Sequence, residues 1–192
     1  MKHRGELLEH VAFIGMPTSG KSSIGRRLTE HLNWKRVKRT KWAFVDIDDC
    51  IRRDFKVVNL QEVVDSRTHE EFAQIEAQTV VREMHHLSRP TIVATGGSVV
   101  NYADAMEAIW VRSYIIHLCA PYEVIEGRVA QNPWRGITYE PGQDLQRLYH
   151  KRMPLYEQWA DETIDASEKS ERDAIAQALA KRIRHRELRR AA

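Results

Sequence analysis

The sequence predicts an α/β protein with a central parallel sheet of about five strands and helices on both faces. Short apolar runs alternate along the chain with longer segments whose apolar residues recur every three or four positions. Strands that alternate with helices are typical of a parallel sheet covered on both sides. The chain has 192 residues, of which 42% are hydrophobic, and no repeat or linker divides it. We therefore expect one domain over residues 1–192, with one core.

The strands are predicted from short apolar runs that end at turn or polar residues. The first run ends at Gly15, the second at Asp46, and the third at the pair Gly96-Gly97. Strands are expected over residues 10–15, 43–46, 91–95, 114–118 and 163–165.

The helices are predicted from apolar residues at helical spacing and from the prolines at their ends. Pro90 closes a long amphipathic helix, and Pro121 opens a shorter one. Helices are expected over residues 21–32, 72–87, 121–130 and 144–159, and at the C-terminus around residues 174–183.

Two segments interrupt this alternation. Residues 132–142 contain two prolines and two glycines, which predicts a mobile loop or lid. Residues 35–41 form a basic insertion between Trp34 and Trp42. Aromatic residues beside basic ones would suit stacking on single-stranded nucleic acid, although most basic runs are simply solvated surfaces.

Composition excludes several classes of protein. No apolar run approaches the roughly 20 residues that span a bilayer, so no membrane partner is expected. No signal peptide is visible, and the two cysteines, Cys50 and Cys119, make no disulfide framework. We therefore expect a cytoplasmic protein. The net charge of +3 is mild, so nucleic acid is not an expected partner.

The segment from Gly15 to Ser22 reads Gly-Met-Pro-Thr-Ser-Gly-Lys-Ser and matches the Walker A pattern of phosphate-binding loops. Its glycines let backbone N–H groups approach the phosphates of a nucleotide, and the helix N-terminus adds its dipole. Lys21 is expected to reach the β- and γ-phosphates of ATP, and the Ser22 hydroxyl to bind Mg²⁺. The nucleotide-binding candidates of this loop are Gly15, Thr18, Ser19, Gly20, Lys21, Ser22 and Ser23.

A second candidate site follows the second strand, in the segment Val45-Asp46-Ile47-Asp48-Asp49. Alternation along an extended segment places Asp46 and Asp48 on the same side. One carboxylate could then approach the metal, and the other could accept a proton from a substrate hydroxyl. The alternative is a helix N-cap at Asp48 or Asp49. The phosphate loop favours the functional interpretation for Asp46 and Asp48, while Asp49 stays a cap.

Together with Ala94-Thr95-Gly96-Gly97 and the run from Arg152 to Tyr156, these motifs resemble the shikimate kinases in order and spacing, from about Val11 to Asp165. The resemblance implies a three-layer P-loop kinase fold with a helical lid. It also implies ATP-dependent phosphorylation of shikimate with Mg²⁺, and hence a role in aromatic amino acid biosynthesis. The partner would be a small molecule, and we expect a monomer.

The resemblance also implies roles for individual residues. Asp46 would lie near the metal, and Asp48 would contact the acceptor hydroxyl and act as the base. Gly96 and Gly97 would lie against the shikimate ring, with Arg152 on its carboxylate. Arg128 looks like the adenine-stacking arginine, and Arg135 like the lid arginine that folds over the phosphates.

Three departures from the family all touch the acceptor side or the lid. The family has Phe-Arg-x-x-Glu on the long helix, where this chain has Phe72-Ala73-Gln74-Ile75-Glu76. The missing arginine is a second clamp on the substrate carboxylate, and its loss should weaken shikimate binding about 10- to 100-fold. His69, four residues before Ala73 on the same face, is a better replacement than Arg67. Ser98 replaces a glycine, and its hydroxymethyl group would either protrude into the acceptor pocket or donate a hydrogen bond. Gly136 replaces a lid proline.

Three functions are compatible with these residues. The first is a shikimate kinase with a weakened or rebuilt carboxylate clamp. The second is a kinase of the same fold that acts on another polyol or hydroxy acid, such as gluconate. The third is a nucleotide-dependent protein that binds nucleic acid through residues 35–41; Asp48 and Arg152 argue against it, because a nucleotide switch needs neither.

Overall fold

A computed structural model of the chain describes residues 9–34, 41–132, 137, 139–140 and 142–190, with the backbone alone for 186–190. Five strands form one parallel sheet in the order β2-β3-β1-β4-β5. The strands are β1 (His10–Ile14), β2 (Ala43–Asp46), β3 (Thr91–Ala94), β4 (Ser113–Cys119) and β5 (Glu162–Asp165). The predicted α/β class and the five predicted strands are confirmed.

The helices of the described residues include all five that the sequence predicts. They are α1 (Lys21–Asn33), α2 (Ile47–Phe55), α3 (Leu60–Asp65), α4 (His69–His86), α5 (Ala103–Arg112), α6 (Tyr122–Ala130), α7 (Leu145–Trp159) and α8 (Arg172–Arg190). Helices α3 and α5, of 6 and 10 residues, were not predicted, and α2, of 9 residues, was anticipated only as a helix capped by Asp49. Segments this short carry few turns of periodicity, so the pattern alone does not show them.

The sheet lies between two layers of helices. Side chains alternate along β1, with Ala12 and Ile14 in one apolar cluster and Val11 and Phe13 in the other. The first cluster joins the sheet to α4 and α5, and the second joins it to α1 and α8. This is the predicted three-layer arrangement. None of the described helices is long and apolar enough to cross a membrane.

The parallel strands bring their carboxyl ends to one edge of the sheet. There β1 leads to α1 on one face, whereas its neighbour β3 leads to α5 on the other face. In sheets of this kind ligands bind where the connections of adjacent strands diverge in this way. The fold therefore predicts a site outside the ends of β1 and β3.

Candidate active site

The phosphate loop follows β1 and has the backbone of a phosphate cradle. Gly15 and Gly20 have φ values of 143° and 109°, in a region of backbone conformation that residues other than glycine rarely adopt. At Gly15 a Cβ atom would lie 2.5 Å from the carbonyl oxygen of Leu118, so only glycine fits there. Gly20 is the N-cap of α1, and Thr18 adds a third residue at positive φ.

Lys21 lies inside this loop and is 8% exposed. Its ammonium group donates to the carbonyl oxygens of Gly15 at 2.8 Å and Met16 at 2.7 Å. One cavity contains Lys21 together with Ser22 and Ser23. The hydroxyl of the neighbouring Ser19 is fully buried and has no hydrogen-bond partner among the described residues.

Three more basic residues line the same cavity, namely Arg128, Lys169 and Arg172. Arg128 donates to the carbonyl oxygens of Thr18 at 3.4 Å and Ala166 at 2.9 Å, so it joins the phosphate loop to the segment after β5. Burial lowers its pKa from the usual value. Lys169 and Arg172 were not predicted as site residues. Their signal was their position after β5, whose carboxyl end lies at the same sheet edge as Gly15.

The structure corrects the prediction for Asp46 and Asp48. The extended segment ends at Asp46, which is the N-cap of α2 and accepts a hydrogen bond from the Asp48 N–H at 3.1 Å. Asp48 therefore lies in the first helical turn, not on the strand, and neither Asp48 nor Asp49 is the cap. Both predicted carboxylates nevertheless line one cavity with Ser22, and Asp49 pairs with Arg26 at 2.6 Å.

Asp48 has the electrostatics of a proton acceptor. Burial, followed by the negative charges of Asp46 and Glu76, raises its pKa to about 7, while the positive charges of Lys21 and Arg52 oppose the shift. Asp48 lines the cavity that contains Lys21. A carboxyl group with a pKa near neutrality is suited to general base chemistry.

Gly96 and Gly97, which follow β3, also line this cavity. At Gly97 a Cβ atom would lie 2.9 Å from Pro17 of the phosphate loop and 3.2 Å from the Arg152 guanidinium. At Gly96 it would lie 1.6 Å from the Glu76 carboxylate. Both positions therefore exclude side chains, and both glycines line the cavity.

The serine that departs from the family donates a hydrogen bond. Of the two possibilities for Ser98, protrusion into the pocket or hydrogen bonding, the structure has the second, because its hydroxyl donates to Glu76 Oε2. Both residues are buried, at 3% and 5% exposure.

Arg152 comes from α7 and is 3% exposed. Its Nε atom is buried and has no hydrogen-bond partner in the described part of the chain. Tyr156, one turn later, donates to the Gly97 carbonyl oxygen at 2.6 Å and so ties α7 to the glycine pair. A buried arginine with an unused donor beside Gly97 could bind an anionic group of a ligand.

The remaining predicted residues either line neither cavity or lie outside the described residues. His69 is in the first turn of α4, and it does not line either cavity described above. Arg67 lines neither cavity either, and its guanidinium lies 4.6 Å from the centre of the Phe55 ring. Arg135 and Gly136 lie outside the described residues, as does most of the predicted lid over 132–142 and of the insertion over 35–41.

Comparison with known proteins agrees with this geometry. A family model described as shikimate kinase matches residues 17–184. A shikimate kinase from Dictyoglomus turgidum is 27% identical over 177 residues, covering 91% of this chain and 96% of its own. One from Nitrobacter winogradskyi is 31% identical over 156 residues, covering 80% and 67%.

Solved structures show the same fold. The shikimate kinase from Acinetobacter baumannii, in complex with shikimate, superposes with a TM-score of 0.74 at 24% identity, covering 95% of this chain and 94% of its own. With a phosphate loop, an acidic α2 and a glycine pair around one cavity, and with the family model matched over most of its length, the chain belongs to the shikimate kinase family of small-molecule kinases.

Proposed function

We propose that this protein transfers the γ-phosphoryl group of ATP to a hydroxyl of shikimate and forms shikimate 3-phosphate. One observation supports this most directly. A single cavity is lined both by Lys21 of the phosphate loop and by Asp48, Gly96 and Gly97 of the acceptor side. A nucleotide phosphate and a small hydroxylated ring could therefore meet there without any large movement of the described elements.

The transfer step assigns a task to each side of the cavity. The acceptor oxygen forms a bond to the γ-phosphorus, the bond from that phosphorus to the bridging oxygen breaks, and ADP leaves. Asp48 accepts the proton of the acceptor hydroxyl, and Lys21 stabilises charge on the transferring group. We propose the same stabilising task for Arg135 of the lid.

The residues around the phosphate loop fit a nucleotide. Gly15, Thr18, Ser19, Gly20 and Ser23 form or flank the cradle, and Arg128 borders it with Lys169 and Arg172. For Mg²⁺ the chain offers the Ser22 hydroxyl and the Asp46 carboxylate, which line one cavity. Mg²⁺ usually takes one or two protein oxygens and completes its shell with water and phosphate oxygens, so these two ligands suffice. When bound, it would neutralise phosphate charge.

On the acceptor side, Arg152 would bind the shikimate carboxylate, and Gly96 and Gly97 would contact the ring. The Nε atom of Arg152, which is buried and has no hydrogen-bond partner among the described residues, supports its part in this assignment. We further propose that residues 1–192 form one domain and act as a monomer on a small-molecule substrate.

ATP consumption against a panel of acceptors tests the proposal. Shikimate, quinate and gluconate would be compared at saturating MgATP, with Lys21→Ala as the blank. Shikimate should give the highest kcat/KM. A higher value for quinate or gluconate, or no turnover of shikimate, would reject shikimate as the substrate.

A second candidate is a kinase of this fold that acts on another polyol or hydroxy acid. The observation in its favour is that Ala73 is 1% exposed and brings no charge to the pocket. The nucleic-acid alternative is less well supported, since Asp48 lines the same cavity as Lys21. A filter-binding assay with a salt titration would detect nucleic-acid binding.

A further inference from the structure

Glu76 is a buried carboxylate on the acceptor side of the cavity. It is 5% exposed and lines the cavity together with Lys21 and Asp48. Its Oε1 atom lies so close to Gly96 that a Cβ atom there would be 1.6 Å away. One carboxylate oxygen therefore lies against the glycine wall where we place the acceptor ring.

The partners of this carboxylate are few. Within the described ranges, one hydrogen bond reaches Glu76, from the Ser98 hydroxyl to Oε2, and no basic side chain forms an ion pair with it. Burial raises its pKa, while the Ser98 hydrogen bond and the more distant charges of Arg152 and Lys21 lower it. A carboxylate buried without any partner is costly, so the Ser98 hydroxyl is the main group that holds this side chain in place.

The helix that carries Glu76 supplies no substitute for Ser98. Ala73 lies three residues earlier, on the same face of α4, and contributes only a methyl group. Arg67 hydrogen-bonds to Ser66 at 2.7 Å and stacks on Phe55. Ser98, directly after the glycine pair, thus holds the Glu76 carboxylate, a task that a cation at position 73 could have performed.

We propose that Ser98 is a positioning residue for the phosphoryl acceptor. By donating to Oε2 of Glu76, its hydroxyl holds the carboxylate so that Oε1 faces the cavity and accepts a hydrogen bond from a ring hydroxyl. This inference rests on the proposed function and describes its acceptor more closely. The acceptor carries an anionic group for Arg152 and a hydroxyl for Glu76.

Ser98→Ala tests the inference. The backbone of Ser98, with φ −85° and ψ −12°, suits alanine, so the substitution removes the hydroxyl alone. The KM for shikimate should rise about tenfold, as expected for the loss of a hydrogen bond to a charged group, while the KM for ATP and kcat change little. Ser98→Gly provides a second variant without the hydroxyl.

Ser66→Ala is the matched control. The Ser66 hydroxyl donates to the Val63 carbonyl oxygen at 3.0 Å, at the C-terminal end of α3. It should leave both KM values unchanged. A KM for shikimate within twofold of wild type in Ser98→Ala would overturn the inference. Equal increases in both KM values with a lower Tm would also overturn it, because Ser98 would then be structural only. Absence of shikimate turnover by the wild type would instead reject the proposed function, and this inference with it.

Discussion

Lys21 and Asp48 show how single residues acquire their chemistry from their surroundings. Lys21 is held by two backbone carbonyl oxygens of its own loop, at 2.7 and 2.8 Å, so its ammonium group is fixed inside the loop. Asp48 gains its raised pKa from burial and from the nearby Asp46 and Glu76. The position of the Lys21 ammonium group and the raised pKa of Asp48 do not follow from residue type alone. Both depend on a loop and a helix that meet at one edge of the sheet.

Lys21→Ala should abolish phosphoryl transfer to shikimate while the protein remains folded. The substitution removes the positive charge that would stabilise the phosphates, and the hydrogen bonds of Lys21 to Gly15 and Met16 lie within its own loop. Turnover would be measured by ADP release, and folding by circular dichroism. Lys181→Ala, an exposed position on α8, is the control and should retain full activity. Activity within tenfold of wild type in a folded Lys21→Ala protein would contradict the assignment.

Asp48→Asn should lower kcat far more than it lowers ATP affinity, because it removes the base and leaves the phosphate loop intact. The pKa of Asp48 is raised to about 7, so the carboxyl group is protonated, and inactive as a base, below that pH. The kcat/KM for the acceptor should therefore rise about tenfold per pH unit up to about pH 7 and then level off.

The pH profile of Asp48→Asn gives the decisive comparison for this residue. Its residual kcat/KM should lack the rise between pH 5 and 7. An unchanged rise would assign the titration to another group. An equal loss of ATP affinity would indicate that Asp48 binds metal or supports the structure.

At the scale of secondary structure elements, the strands were easier to predict from the sequence than the short helices. Apolar runs identified all five strands, whereas α3 and α5 went unpredicted and α2 was anticipated only through the cap at Asp49. The error at Asp48 has the same origin. The chain turns into a helix directly after Asp46, and alternation cannot reveal where a strand stops. Capping does carry a signal, since Asn59 and Glu62 form a capping box at the start of α3.

Strands β1 and β4 each bury a neutral histidine in the sheet. Burial lowers the pKa of His10 and of His117 to about 4, and the ring nitrogens of His117 have no hydrogen-bond partner in the described part of the chain. His117 stacks on Tyr156 of α7, with ring centroids 5.0 Å apart. The unfolded chain would bind protons on both histidines near pH 6.5, which the folded chain resists.

Stability should therefore be complete above about pH 6.5 and fall as the pH drops toward 4. His117→Phe keeps an aromatic ring beside Tyr156 and removes one of these titrations. Its free energy of unfolding in urea should decrease by about 2 kcal/mol less than that of wild type between pH 7 and pH 5. His85→Gln, at an exposed position on α4, is the control and should behave like wild type. Equal pH dependence in His117→Phe and wild type would show that His117 is not kept neutral.

At the scale of the whole molecule, the phosphate loop was easier to predict from the sequence than the acceptor side of the site. The phosphate loop lies in consecutive residues, so its sequence was sufficient to identify it. The acceptor side combines α2, α4, the glycine pair and α7, which are far apart in the sequence. Whether Ser98 would enter the pocket or bind a neighbour depended on Glu76, 22 residues earlier. The sequence identified both residues but could not show that they pair.

Ala73→Arg tests which acceptor this assembled pocket accepts. An arginine three residues before Glu76 on α4 could pair with that carboxylate and place a second cation near the substrate carboxylate. If the acceptor is shikimate, its KM should fall about tenfold with kcat little changed. Ala73 is 1% exposed, so the longer side chain must displace a neighbour, and the Tm of the variant would be measured alongside.

Combining Ala73→Arg with Ser98→Ala tests whether both positions act through Glu76. If an arginine at position 73 takes over the task of Ser98, the loss of the hydroxyl should raise the KM for shikimate about tenfold in the wild-type background and less than threefold in the Ala73→Arg background. Such non-additivity requires that both residues act through Glu76. If Ala73→Arg folds normally but does not improve the KM for shikimate, the pocket was built for another molecule. The shikimate assignment would then give way to another polyol or hydroxy acid.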